Sequence, residues 1–418
     1  MKINYRKLFL LGFGFMGISV VWALYNADVP VILQGQFKMS NFTTGWIMNI
    51  DNILAVTLIP IIAAYSDKVN TRIGRRMPFI ITGLPLMAVF FALIPWIPAF
   101  FGTSASGLAI FMVTVILMNI SAAISRGPVI ALMPDIVPPE QRSPGNGVIN
   151  FMGGLGSLLV YFGIGRISSE NRPLGFAIAS AITIIAALIV FKSINEPKDA
   201  IYYQPEADKT PWWRNVHALM NRSYKDLWSM LLAIFLWFIA YNAIETFYVV
   251  YMTLESGLNP IVAENMAKLN LGVMSLVFMV FALPSGWLAN RFGRKRTMSV
   301  GLGFMIIAVA GIMFTVDALW LNILFALAGI GWALININSL PTVVDMGSLS
   351  EVGVFTGLYY FASQAASIVS PPLIGFISDM AKTKYVMFPY AIIFFLLSFI
   401  CLMNVRKGDV TKKEPISQ

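Results

Sequence analysis

Apolar runs of about twenty residues alternate with short polar connections along nearly the whole chain. A helix of about twenty residues rises about 30 Å, the thickness of a bilayer's hydrocarbon core, so each run reads as a membrane span. Runs and breakers predict twelve, over 8–33, 44–66, 78–97, 107–132, 145–166, 173–192, 227–251, 265–289, 297–316, 319–340, 352–377 and 386–404. A β-barrel would show alternating segments about ten residues long instead. The longest polar segment, "SINEPKDAIYYQPEADKTPWWRNVHALMNRSYKD", has Pro, charge and too few apolar residues for a core, so it reads as a linker. The expected organisation is an all-α integral membrane protein: a six-helix bundle over 1–192, a linker over 193–226, a second six-helix bundle over 227–405 and a tail over 406–418.

Composition agrees. Hydrophobic residues make up 58% and charged residues 12%, where a soluble domain is about a quarter charged. The start, "MKINYRKLFLLGF", is basic then apolar with no small-residue cleavage site, and reads as an uncleaved first helix. A net charge of +9 could indicate nucleic acid, but the bases lie between apolar runs. With both termini cytoplasmic, 22 Lys and Arg fall on the inner side and six outside (Lys38, Arg166, Arg172, Lys268, Lys382, Lys384). That bias sets the orientation of a multi-pass protein of the cell (inner) membrane. The single Cys401 and lone His217 build no disulfide framework or metal cluster. No GxxxxGK[ST] loop occurs, and "GFGFMG" (Gly12–Gly17) lacks the spacing of a dinucleotide fingerprint, so it reads as a packing face. No cluster of nucleophile and base suggests an enzyme. The expected partners are the lipid bilayer and a small molecule, with no cofactor, no nucleic acid and no obligate protein partner.

The two halves echo one another. "AYSDKVNTRIGRRMP" follows the second span and "GWLANRFGRKRT" the eighth; "MPDIVPPEQRSPGNG" closes the fourth and "VVDMGSLSEVGVFTG" the tenth. Two different motifs recurring at corresponding places indicate a duplication.

These motifs resemble the major facilitator superfamily, whose signature after spans two and eight is Gly-x-x-x-Asp-Arg-x-Gly-Arg-Arg/Lys. "GWLANRFGRKR" fits it, with Asn290 in the acidic place. The first copy separates Asp67 from Gly74 by seven residues and continues into Pro-Phe, similar to the glycoside–pentoside–hexuronide:cation symporters and their sucrose-transporter-like branch. "WAL" at Trp22–Leu24, "RGPVIALMPD" and "GIGWALININSLP" extend the likeness. The resemblance implies two pseudo-symmetric bundles that rock about a central site and move a sugar. Sodium-coupled melibiose-type carriers place a span-two carboxylate where this chain has Ile59; its acid, Asp51, stands eight residues earlier.

Charges at membrane depth are costly and normally face a cavity or a partner. Those expected within spans are Asp28, Asp51, Arg126 and Glu245. Asp51 lies seven residues into its span, about 10 Å deep, and Glu245 sits in the outer middle of span seven. A carboxylate shielded there can load and release a proton, so Asp51 and Glu245 are candidate coupling residues. The structural alternative is a pair of packing carboxylates bonded to Asn52 or Asn242. Asp28, beside Pro30, is a third coupling candidate or a cap at the outer rim. Arg126 can pair with a carboxylate, bind substrate bidentately, or tie spans together. A sugar needs hydroxyl partners and flat apolar faces. Trp22 with Asn26, Trp332 with Asn336 and Tyr360 with Gln364 place an aromatic and an amide on one helix face. Asn119, Asn242 and Tyr241 complete the candidate substrate contacts. Trp46 and Trp320, at outer span ends, read as interface anchors.

The connections suggest a latch. Asp67 can accept from helix N-terminal amides or from Arg72, and Asp135 is placed for Arg75 or Arg76. Gly74 provides the tight turn. Asn290, Arg291, Gly293 and Arg294 are the second copy. The expected activity is proton-coupled uptake of a sugar or glycoside by alternating access, with sodium the other candidate ion. The alternative is an uncoupled facilitator or an exporter of another small organic solute.

Overall fold

The structure is a computed structural model and describes residues 5–138, 142–202, 225–347 and 352–405. The tail over 406–418, most of the linker (with His217) and parts of the span-four and span-ten closing motifs lie outside the described residues. Every regular element among the described residues is helical. Twelve helices among them are long and apolar enough to cross a membrane: Tyr5–Gly35, Asn41–Lys68, Met77–Phe101, Ala105–Ile136, Gly145–Glu170, Arg172–Ser193, Lys225–Glu255, Pro260–Phe292, Arg294–Ile312, Ala318–Val344, Gly353–Ala381 and Lys384–Met403, numbered here as spans one to twelve.

Polar residues at the run boundaries start the helices. Ser40, Asn171 and Asp317 accept from backbone N–H groups of the first turns of spans two, six and ten, at 3.1 Å from Thr43, 3.1 Å from Leu174 and 3.0 Å from Leu319. Span two tightens at Asn49, which keeps helical dihedrals and donates to the Trp46 carbonyl at 3.1 Å, between Asn41–Met48 and Ile50–Lys68, with Asp51 two residues on.

Contacts divide the chain into two units, Met1–Ala207 with Tyr248–Gly272, and Asp208–Phe247 with Val273–Gln418. Within each, small residues bring helices together, as expected where lipid offers no hydrophobic drive for association. A Cβ at Gly17 would lie 3.2 Å from that of Ala186, and one at Gly156 would meet the Met16 carbonyl at 2.5 Å. "GFGFMG" is thus a packing face. Hydroxyls bond carbonyls of neighbouring spans: Thr183 to Gly17 (3.0 Å) and Ser180 to Ala88 (2.8 Å) in the first unit, Ser370 to Ile239 (2.6 Å) and Ser398 to Ala233 (2.9 Å) in the second. Each such bond contributes about 0.6 kcal/mol.

Candidate functional site

In the first unit Asp51 stands two residues past the tightened turn at Asn49 in span two. Arg126 of span four is its electrostatic partner, and both are half-buried. The fully buried Tyr25 of span one has its hydroxyl close to Asp51 and to the Asn119 side chain. Asn119 also donates to the Val115 carbonyl of its own span at 2.9 Å. Trp22 stands edge-on to Tyr25, with ring centroids 5.4 Å apart and planes at 84°. Its shielded indole N–H meets no acceptor among the described residues. Asn26 is half-buried one turn along. The sequence brought Trp22, Asn26, Asp51, Asn119 and Arg126 forward; it missed Tyr25, whose neighbours come from two other spans. Asn52 bonds Asn49 at 3.5 Å.

In the second unit Tyr241 of span seven stacks on Trp332 of span ten, centroids 4.1 Å apart and planes at 10°. Phe238 meets the same indole edge-on at 5.3 Å. Asn242 donates one of its two amide hydrogens to the Phe238 carbonyl of its own helix at 2.7 Å. Asn336, Gln364 and Glu245 are half-buried, and Tyr360, edge-on to Tyr359, is exposed. Trp46 and Trp320 are exposed at span ends.

The connection after span two is organised by Arg76. Its buried guanidinium contacts Asp67 at 3.0 Å and Asp135 at 2.7 Å, joining spans two, three and four. Asp135 therefore takes one of its two expected partners, with Arg75 contributing at longer range. Two expectations are corrected. Asp67 pairs with Arg76 rather than Arg72, which is exposed. The helix N-terminal amides are taken not by Asp67 but by Glu196, just past span six. Its buried carboxylate accepts from Arg75 N–H (3.0 Å), Arg76 N–H (3.0 Å) and Met77 N–H (2.8 Å). Gly74 has φ +114°, and a Cβ there would collide with the Glu196 carboxylate, so the turn needs glycine twice over. An acid placed directly after an apolar run, as in "NEP", was the available signal for Glu196. Glu196→Gln, which removes the anion from the start of span three, is expected to cost about 1–2 kcal/mol. Thermal melting of the purified protein checks this; an unchanged midpoint rejects it.

The second copy repeats the plan. Arg294 pairs with Asp345 at the end of span ten, as Arg76 does with Asp135. Gly293 has φ +95° ahead of span nine, Asn290 is exposed, and Arg291 lies over the rings of Trp287 and Phe292.

Two further expectations are corrected. Lys268 is not a loop residue: span eight begins at Pro260 and buries it to 1% exposure. Asp28 is not at a rim: it is fully buried, with Lys268 Nζ 2.5 Å away and the Ser168 hydroxyl bonded to it. Lys268 also contacts Glu264 at 2.8 Å, and Arg172 reaches Glu264 at 2.6 Å. A short E-x-x-x-K spacing at the start of an apolar run was the sequence signal for this cluster.

Twelve apolar helices with duplicated charge motifs at corresponding loops describe a multi-pass membrane protein built from two repeats. The chain belongs to the Major Facilitator Superfamily, whose model matches residues 9–371 and 262–418. Among relatives, it is 26% identical over 329 residues to the hexuronate transporter of Bacillus subtilis (strain 168), covering 71% of this chain and 73% of that one. It is 28% identical over 190 residues to the human proton-associated sugar transporter A, covering 44% of this chain but only 25% of that longer protein. It is 24% identical over 157 residues to sucrose transport protein SUC3 of Arabidopsis thaliana, covering 34% of this chain and 26% of that protein. The crystal structure of nucleoside transporter NupG superposes with a TM-score of 0.70 at 14% identity, over 97% of this chain and 100% of that one. That likeness concerns the fold alone.

Proposed function

We propose that this transporter takes up a sugar or glycoside together with a proton by alternating access, from the cell membrane, with both termini in the cytoplasm. The observation that carries the reading is the Asp51–Arg126 pair. It sets a carboxylate and a guanidinium from two spans within electrostatic range of each other at span depth, near Tyr25, Asn119 and the unpartnered indole of Trp22. Such a pair serves two ends: Arg126 presents paired N–H donors to sugar hydroxyls, and Asp51 accepts a proton. The stacked Tyr241 and Trp332 supply flat apolar surface in the second unit, near the amide-bearing Asn336 on the next turn. Glu245 is the coupling candidate there. Relatives named for sugar, hexuronate and sucrose transport support the substrate class.

The test is uptake into proteoliposomes of a panel of radiolabelled mono-, di- and oligosaccharides under an imposed proton or sodium gradient. Accumulation of at least one sugar driven by protons is expected. Equilibration without accumulation identifies a facilitator, and no sugar movement with any gradient rejects the substrate class.

A further inference from the structure

We propose that a buried set of hydroxyl and amide groups, Ser285, Asn338, Ser339 and Tyr359, aims the turns of span ten that carry Trp332 and Asn336, and so sets which sugar epimer the second unit accepts. This deepens the sugar reading and rests on it. Tyr359 is a positioning residue, since it acts through Ser339 and Asn336.

The set lies wholly in the second unit, and each member is at most 6% exposed. Its bonds converge on two turns of span ten. Ser285 of span eight donates to the Ala333 carbonyl at 2.9 Å. Asn338 uses both amide hydrogens, one on that same Ser285 hydroxyl at 2.9 Å and one on the Leu334 carbonyl at 2.9 Å. Ser339 donates to the Asn336 carbonyl at 2.8 Å, which leaves the Tyr359 hydroxyl of span eleven to donate to Ser339 at 3.1 Å. Span nine packs on the same turns: a Cβ at Gly331 would lie 2.8 Å from the Gly301 carbonyl.

Span ten needs this outside support. Pro341 has no N–H to give the Ile337 carbonyl, so the helix loses a rung and bends easily. Donors from spans eight, ten and eleven fix the direction of the turns before it. Those turns carry Asn336 and the Trp332 indole, which is itself 6% exposed and backs the stacked ring of Tyr241. Tyr360, next in the chain to Tyr359, stands edge-on to it at 5.3 Å and is 54% exposed. The path Tyr360–Tyr359–Ser339–Asn336 thus links a candidate sugar contact of span eleven to one of span ten.

Selectivity follows from the two kinds of contact. An apolar face rejects an altered hydroxyl weakly, whereas a hydrogen-bonding group rejects a misdirected one strongly. The second kind works only when its support holds it to about 0.5 Å. Loosening the support therefore costs discrimination by Asn336 before it costs binding on Tyr241.

The test is uptake, by full-length protein in proteoliposomes, of radiolabelled epimer pairs: glucose with galactose, xylose with L-arabinose, and cellobiose with lactose. Tyr359→Phe removes one hydroxyl and keeps the ring. It is expected to lower the rate ratio within the best-discriminated pair by about three- to tenfold, the worth of one hydrogen bond. Ser398→Ala removes an equally buried bond between spans, the one to the Ala233 carbonyl, away from this face. Its ratio is expected to stay within about twofold of the unsubstituted one. A second readout needs no sugar: the near-ultraviolet circular dichroism of Trp332, taken as the difference between each protein and its Trp332→Phe counterpart. That signal is expected to fall about twofold in Tyr359→Phe and to hold in Ser398→Ala. An unchanged ratio or an unchanged Trp332 signal in Tyr359→Phe, or an equal loss in Ser398→Ala, overturns the inference. So does a protein that tells no epimer pair apart. If no sugar is transported, the sugar reading fails and the Trp332 signal decides the support by itself: a fall upholds it, and an unchanged signal overturns it.

Discussion

Arg126→Gln is expected to lower initial sugar uptake in proteoliposomes by about a hundredfold. The guanidinium is the cation beside Asp51, and the two sit on different spans of the first unit. Charge-assisted donors lost to bound hydroxyls cost about 3 kcal/mol for a pair, and each 1.4 kcal/mol is a factor of ten. The same substitution deletes the paired N–H donors proposed for sugar hydroxyls. Asp51→Asn separates the two roles. It is expected to retain exchange of labelled for unlabelled sugar at equal pH while abolishing accumulation driven by a proton gradient. The double variant, with neither charge, is expected to exchange at least about tenfold faster than Arg126→Gln alone. Uptake by Arg126→Gln at the unsubstituted rate would dispose of the site.

Arg76→Gln is expected to destabilise the protein by about 3–5 kcal/mol, read as a lower melting midpoint in detergent. Arg76 is 6% exposed in its side chain and separates two carboxylates, Asp67 and Asp135, that would otherwise face each other. The matching change in the second repeat, Arg294→Gln, is expected to cost less than about 1 kcal/mol, because Asp345 is 55% exposed and screened by solvent. Motif likeness alone would predict equal effects; burial predicts unequal ones. Equal shifts in the two variants would refute the burial argument.

The latch shows what could be read in advance. The motifs offered Asp135 to Arg75 or Arg76, and the structure takes Arg76; Arg294 with Asp345 stands at the corresponding place of the second copy. Glu196 escaped because it reaches the amides of Arg75 and Arg76 across 121 and 120 residues: "NEP" marks an acid at the end of an apolar run but does not name its partner. Lys268 was misplaced because counting bases as loop residues assumes that membrane spans exclude them. That assumption fails wherever a carboxylate from another span, here Asp28, neutralises the base.

The amino-acid sequence by itself determined the twelve helices, the duplication and the superfamily. Each rests on local apolar length or on a short contiguous motif, and hydrogen bonding in lipid leaves an apolar segment few alternatives to a helix. Only the tertiary structure decided which charges meet. Asp28 with Lys268 and Glu196 with the start of span three are contacts between distant segments, and Arg126 acts on Asp51 from another span. Their energy depends on burial and separation, quantities that exist only once the helices have packed.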